Sequence, residues 1–163
     1  MREKGDNRFE FIFAGKFFSE DDKKDFFNYV YENDINSIID YKGVVSGKEK
    51  LELLRKSHIF ILLTSYKNEG QPISIIEAAA NGLIVISTRH AGIPDILNEK
   101  EMIYVEKNKI DINEIYIEIV NKYLNIEVTK DEIRHNREKV LIEFAEKKYL
   151  KKILNVFNQL LEK

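Results

Sequence analysis

Short apolar runs alternate with longer amphipathic stretches along the chain. Phe9–Ala14 (FEFIFA) predicts a strand that stops at Gly15. Asp21–Glu32 predicts a helix whose apolar face carries Phe26, Phe27, Val30 and Tyr31. A second strand is expected over Ile38–Tyr41, ending at Gly43. Ser46-Gly-Lys-Glu49 has the spacing of a capping box and predicts a helix running to about Lys56. The continuous run Ile59–Leu63 suits a strand covered on both faces. Pro72–Asn81 predicts a helix that tolerates Pro72 in its first turn and stops at Gly82. Leu83–Ser87 is a further buried strand, Gly92–Leu97 a turn with a short helix, and Met102–Val105 a last strand.

From there the pattern is helical. Asp111-Ile-Asn-Glu114 and Thr129-Lys-Asp-Glu132 both have the form of a helix start. The final stretch spaces Val140, Phe144, Leu150, Leu154, Phe157 and Leu161 near multiples of 3.5, which predicts one long amphipathic helix or two. Its lysines fit a membrane surface, but the glutamates interleaved with them favour a solvated face. Strand and helix repeated in this way predict an α/β fold, a doubly wound parallel sheet with helices on both sides and helices at the C-terminus.

Composition narrows the function. The 163 residues are enough for about one domain. With 26 basic and 28 acidic residues the net charge is −2, so the basic excess of a general nucleic-acid binder is lacking and no nucleic-acid partner is expected. Without cysteine there is no disulfide, thiolate zinc site or cysteine nucleophile. Three histidines make a histidine-rich metal centre a poor fit. The longest apolar run is far too short for a membrane span, and Met1–Asp6 is too charged for a signal peptide. The expected location is cytoplasmic, extending to peripheral attachment at the inner face of the membrane.

Both prolines, Pro72 and Pro94, and three of the seven glycines, Gly70, Gly82 and Gly92, fall between residues 70 and 94. Ligands of a doubly wound sheet bind outside the carboxyl ends of its strands, where Thr64–Gln71 is expected to lie. Gly70 lets a backbone come close to a ligand, and the helix opening near Pro72 offers amides and a positive dipole end to a phosphate. Glu69 precedes that helix and Glu77 lies within it, so the two can flank one ligand. A carboxylate accepts hydrogen bonds from vicinal hydroxyls, so phosphate and hydroxyl sites together describe a nucleotide-sugar. On spacing alone, however, each glutamate is more simply a solvated residue, Glu69 favouring the helix start and Ala78–Ala80 close packing. A paired-carboxylate glycosidase is the competing enzyme reading, with no further acid–base constellation to support it.

The order of residues from Asn68 to Ile96, NEGQPISIIEAAANGLIVISTRHAGIPDI, is more specific than any of these spacings. It resembles the donor-site signature of the retaining GT-B glycosyltransferases of family 4: Glu-Gly, a proline, a second glutamate eight positions after the first, an alanine-rich turn, a glycine, a buried strand and a Gly-x-Pro-Asp-Ile turn. Phe11–Gly15, Tyr41–Val45 and Leu51–Leu63 resemble the flanking elements, so the similarity runs to about Leu97 and more loosely beyond. The resemblance implies that the chain is the C-terminal half of a GT-B fold, a single partial domain over residues 1–163. Glu69, the implied catalytic residue, would contact the donor sugar. The backbone of Gly70, Gln71, Pro72 and Ile73 would line sugar and diphosphate. Glu77 would hold the ribose, Gly43 and Val44 the base, and Gly15 would end a strand at the donor site. No metal or other cofactor is implied, since dipoles and basic groups neutralise the diphosphate.

The resemblance also has gaps. Phe9–Gly15 aligns with the family's second donor-domain strand, which places the first strand, with the diphosphate-gripping Arg and Lys, ahead of Met1. Lys16, Lys23 and Lys24 are then solvated charges, and Gln71 stands where an aromatic residue is frequent. A missing central strand would leave its neighbours with unpaired edges. The expected partners are a nucleotide-sugar donor, a glycan or glycolipid acceptor, and a separate N-terminal-domain polypeptide. A non-catalytic nucleotide-sugar-binding module is the alternative, and a nucleotide-sugar epimerase a weaker one.

Overall fold

The structure is a computed structural model and describes residues 8–98 and 100–161. The charged N-terminal stretch Met1–Asp6 lies outside the described residues. Two compact units divide the chain, Met1–Glu52 and Leu53–Lys163.

In the first unit, strands β1 (Phe11–Ala14) and β2 (Ile39–Gly43) pair in parallel, joined through helix α1 (Glu20–Glu32). Ser19 and Asp22 close a reciprocal capping box at the start of α1. A cluster of rings holds the unit: Phe13 meets Phe26 edge-on at 4.9 Å, and Phe17 lies 5.0 Å from Tyr41. Such pairs add about 0.5–1.5 kcal/mol each beyond the area they bury. Val30 is the single described side chain of this unit that is fully buried. Tyr31, expected on the same face, is exposed.

Helix α2 (Gly47–Lys56) spans the boundary between the units. The second unit holds strands β3 (Ile59–Leu62), β4 (Ile84–Thr88) and β5 (Ile103–Val105), all parallel in the order β3-β4-β5. Helix α3 (Ile73–Ala80) connects β3 to β4, and a 3-10 turn at Ile93–Asp95 follows β4. Helices α4 (Ile112–Leu124), α5 (Ile126–Glu143) and α6 (Glu146–Leu161) complete the chain. Ile75, Ala78 and Ala79 of α3 pack with Val85, Ile93, Ile96, Leu97, Met102 and Val140 in one core. Alanines at 78 and 79 leave room for a close approach of helix to sheet. β4 is covered on both faces, as its sequence predicts. β3 is not, and Ile61 is exposed: β3 is an edge strand, with β4 its sole strand partner among the described residues.

The chain is thus α/β with parallel strands, arranged as a pair and a triplet. Among the described residues β1 likewise pairs only with β2. The expected helix start at Thr129 is not there. α5 begins at Ile126, directly after the C-cap of α4 at Asn125. Thr129 is buried, and its Oγ1 donates 2.8 Å to Lys122 O, so its hydroxyl ties α5 back to the last turn of α4 rather than capping a helix. Asp111 does cap α4, accepting from the amides of Asn113 and Glu114. The last amphipathic stretch is two helices, broken at Phe144 and Ala145. Of its predicted apolar face, Val140 is buried and Phe144 half-buried, whereas Leu150, Leu154, Phe157 and Leu161 are exposed.

Candidate functional site

In the second unit, the loop Thr64–Gln71 leaves the carboxyl end of β3 and enters α3. It is tied to β4 by side chains on that neighbouring strand. Thr88 Oγ1 donates 2.5 Å to Thr64 O, and Ser87 Oγ donates 2.7 Å to Leu62 O. Both hydroxyls are buried and thereby satisfied. Within the loop, Thr64 Oγ1 donates to Glu69 Oε2 at 3.1 Å and accepts from Tyr66 N at 3.1 Å. His90 Nε2 donates 2.7 Å to Tyr66 O, the carbonyl fixing that nitrogen as the protonated one.

The turn after β4 meets the same loop. Gly92 N donates 3.1 Å to Gly70 O. A Cβ on Gly92 would lie 2.9 Å from Gly70 O, so this position admits glycine alone without displacement of the loop. Ala91, before it, holds a left-handed φ of 48°. Gly70 is different. Its φ is not positive, and a Cβ there would meet no heavy atom within 4 Å. Nothing in the fold demands a glycine at position 70.

Pro72 is buried and opens α3 without a side-chain cap. Ile73 and Glu77 lie one turn apart on the face opposite the buried Ile75, Ala78 and Ala79. Glu69 and Glu77 are both half-buried, and Gln71 is exposed. The sequence-predicted run 69–73 therefore lies as one surface-reaching stretch, with Glu77 one turn into the helix after it. Thr64 opens the loop the sequence predicts and Gly92 begins its Gly-x-Pro-Asp-Ile turn, whereas Thr88, which holds the loop from β4, was not singled out by sequence pattern.

The first unit carries the other predicted residues. Gly15 N donates 2.7 Å to Gly43 O, so these two glycines adjoin at the carboxyl ends of β1 and β2. Tyr41 Oη donates 2.9 Å to Gly15 O, and Val44 is exposed beside them. Gly43 needs its residue type for a φ of 66°. Lys16, Lys23 and Lys24 are exposed. Among the described residues no three His, Asp or Glu side chains group closely enough to hold a metal ion.

A groove of about 660 Å³ runs between β5 and α4, lined in part by Lys100, Tyr104, Lys109, Glu114 and Glu118. None of the sequence-predicted residues faces it.

The sequence model of the glycosyl transferases group 1 matches residues 1–140. The chain belongs to that family. Among known relatives of this group 1 chain is the A-type subunit of the phosphatidylinositol N-acetylglucosaminyltransferase of Arabidopsis thaliana, 32% identical over 104 residues, which are 63% of this chain and 22% of the relative. Similar solved structures include HepE of Anabaena in complex with UDP-glucose, at a TM-score of 0.81 and 12% identity, covering 94% of this chain and 42% of HepE. The C-terminal domain of the group 1 family protein LpcC of Francisella tularensis is similar at a TM-score of 0.65 and 14% identity, over 88% of this chain and 90% of that domain. The group 1 chain thus has the fold of these proteins and spans less than half the length of HepE and of the Arabidopsis relative.

Proposed function

We propose that this chain is the nucleotide-sugar-binding part of a retaining glycosyltransferase that transfers a hexose to a glycan or glycolipid. In the net reaction, the sugar's anomeric carbon exchanges its diphosphate oxygen for an acceptor oxygen, and the acceptor's proton leaves with the nucleoside diphosphate. Glu69 contacts the hydroxyls of the sugar, the backbone from Gly70 to Ile73 lines sugar and diphosphate, and Glu77 holds the ribose. Gly43 and Val44 contact the nucleobase, and Gly15 ends a strand at the donor site. The diphosphate is met by main-chain amides and the α3 dipole, without a metal. The protein acts in the cytoplasm, at the inner face of the membrane.

The observation that carries this reading is Gly70. Neither its backbone angle nor its surroundings require glycine, yet it follows a glutamate held by Thr64 and precedes an uncapped helix. A glycine without a structural reason, beside a positioned carboxylate, suits a backbone that must approach a ligand. HepE, of similar fold, is seen with UDP-glucose. Calorimetric titration with UDP, GDP, ADP and their sugar conjugates tests the reading. One conjugate should bind, and Glu77→Ala should lose it with an unchanged circular-dichroism spectrum. Silence with every nucleotide, or equal affinity in Glu77→Ala, would overturn the donor role.

HepE and the Arabidopsis relative are more than twice as long as the stretch they share with this chain, which supports a second reading. The chain is a binding component that works only beside a partner supplying the N-terminal domain, and alone it transfers little or no sugar. Robust turnover by the 163-residue chain by itself would exclude that reading.

A further inference from the structure

We infer that His90 is a positioning residue for the donor sugar: it anchors the turn that presents Glu69, an inference that rests on the sugar-contacting role given to Glu69 above. In the run Asn68–Ile96 the sequence pattern assigns no role to His90.

The carbonyl of Tyr66 accepts two hydrogen bonds. Glu69 N donates to it at 3.1 Å, closing a turn over Tyr66–Glu69, and His90 Nε2 donates to it at 2.7 Å. A carbonyl oxygen has two lone pairs, so both donors fit. Tyr66 N in its turn donates 3.1 Å to Thr64 Oγ1, whose own proton goes to Glu69 Oε2. Glu69 is therefore fixed twice, by its amide and by its carboxylate, and both routes pass through Tyr66. His90 holds Tyr66 from outside the loop.

The segment after β4 grips the loop at three places. Thr88 Oγ1, His90 Nε2 and Gly92 N bond in order to the carbonyls of Thr64, Tyr66 and Gly70. Thr88 and Gly92 hold the two ends of the loop, and the fold needs both: Thr88 is buried, and Gly92 has no room for a Cβ. His90 holds the middle. It is half-buried and stands outside the hydrophobic core cluster, so replacing it opens no cavity there. Lys107 Nζ also reaches the loop, at 3.5 Å from Ser65 O, a distance at the limit of a hydrogen bond. A ring on a short stem fixes a carbonyl at less entropic cost than a long lysine chain does. Its bond to Tyr66 thus costs the fold little and sets where Glu69 points.

Calorimetry on the full chain tests the role, with UDP-, GDP- and ADP-glucose each beside its free nucleoside diphosphate. The conjugate that the wild type binds is then carried through the variants. His90→Leu removes the donor, and His90→Gln keeps an N–H at a similar reach. His90→Leu should lower affinity for the conjugate about fivefold, the net worth of one hydrogen bond, and leave affinity for the free nucleotide unchanged. His90→Gln should restore most of the loss. Added to Thr64→Val, His90→Leu should cost less than it does alone, since both act through Glu69. In the absence of any nucleotide, amide hydrogen exchange at Glu69 should quicken in His90→Leu and not in His90→Gln. Equal losses for conjugate and free nucleotide, fully additive losses in the double variant, or unchanged exchange at Glu69 in His90→Leu overturns the role of His90 and leaves the donor reading standing. A wild type that binds no conjugate overturns the donor reading itself and the role of His90 with it.

Discussion

Thr64 Oγ1 donates a hydrogen bond of 3.1 Å to Glu69 Oε2, closing the loop after β3 onto its own first residue. The bond spends one carboxylate acceptor site on the protein and fixes where the others point. Thr64→Val keeps the side-chain shape and removes the donor. Donor-sugar affinity should fall about tenfold, as expected for loss of a hydrogen bond to a charged group. Free-nucleotide affinity should hold, since Glu69 is assigned to the sugar. Calorimetry with a nucleotide-sugar and its parent nucleotide reads the difference, and equal losses for both would remove the sugar role of Glu69.

Gly70 and Gly92 touch through their backbones yet should respond in opposite ways. Gly92→Ala forces a methyl group onto Gly70 O and should cost about 1–3 kcal/mol in urea unfolding. Gly70→Ala meets open space and should be neutral in stability while weakening ligand binding. A stable Gly92→Ala variant would mean that the turn after β4 yields easily.

Glu101 ties the segment before β5 to α5. Its carboxylate accepts from Asn98 N at 2.7 Å and from Lys139 Nζ at 2.6 Å, with His135 Nε2 3.5 Å away. Burial raises its pKa, but the Asn98 amide and the Lys139 ammonium, aided by His135, outweigh burial and hold it below the usual 4.5. A carboxylate with a depressed folded-state pKa stabilises the fold above its unfolded value, and that contribution disappears as the pH falls through the folded one. Wild type should therefore exceed Glu101→Gln in stability at neutral pH, and the gap should begin to close near pH 4.5 and vanish as the pH falls through the lowered folded-state value. Urea unfolding across that range tests it; a constant gap would exclude the ionic origin.

Thr129→Val deletes the hydroxyl that reaches Lys122 O across the junction of α4 and α5. A buried carbonyl left without its donor costs about 1–3 kcal/mol. Thermal unfolding should show the loss, whereas Thr129→Ser should retain most of the stability.

Thr129 also shows where sequence reading stops. Its neighbours Asp131 and Glu132 form a local helix-start pattern, but the partner of its hydroxyl is an acceptor on the preceding helix, which the pattern cannot encode. By contrast, α3 was readable to within a residue or so at each end, because Pro72 and Gly82 punctuate it through their own backbone constraints. The candidate site divides in the same way. Glu69, Gly70 and Glu77 announce themselves in a contiguous run. Thr88 enters through a contact spanning 24 positions, and Gly92, legible as a turn glycine in the same run, meets Gly70 across 22, contacts that exist only once β4 lies beside β3. On α6, periodicity identifies a face, and only burial reveals that it lies outside the core of the second unit.

The Gly92–Gly70 contact joins two connections that belong to different crossovers of the sheet. A residue inserted or deleted in either one would lift the other from its seat. Their lengths are therefore locked together, and the two connections should tolerate exchanged side chains far better than added or lost residues.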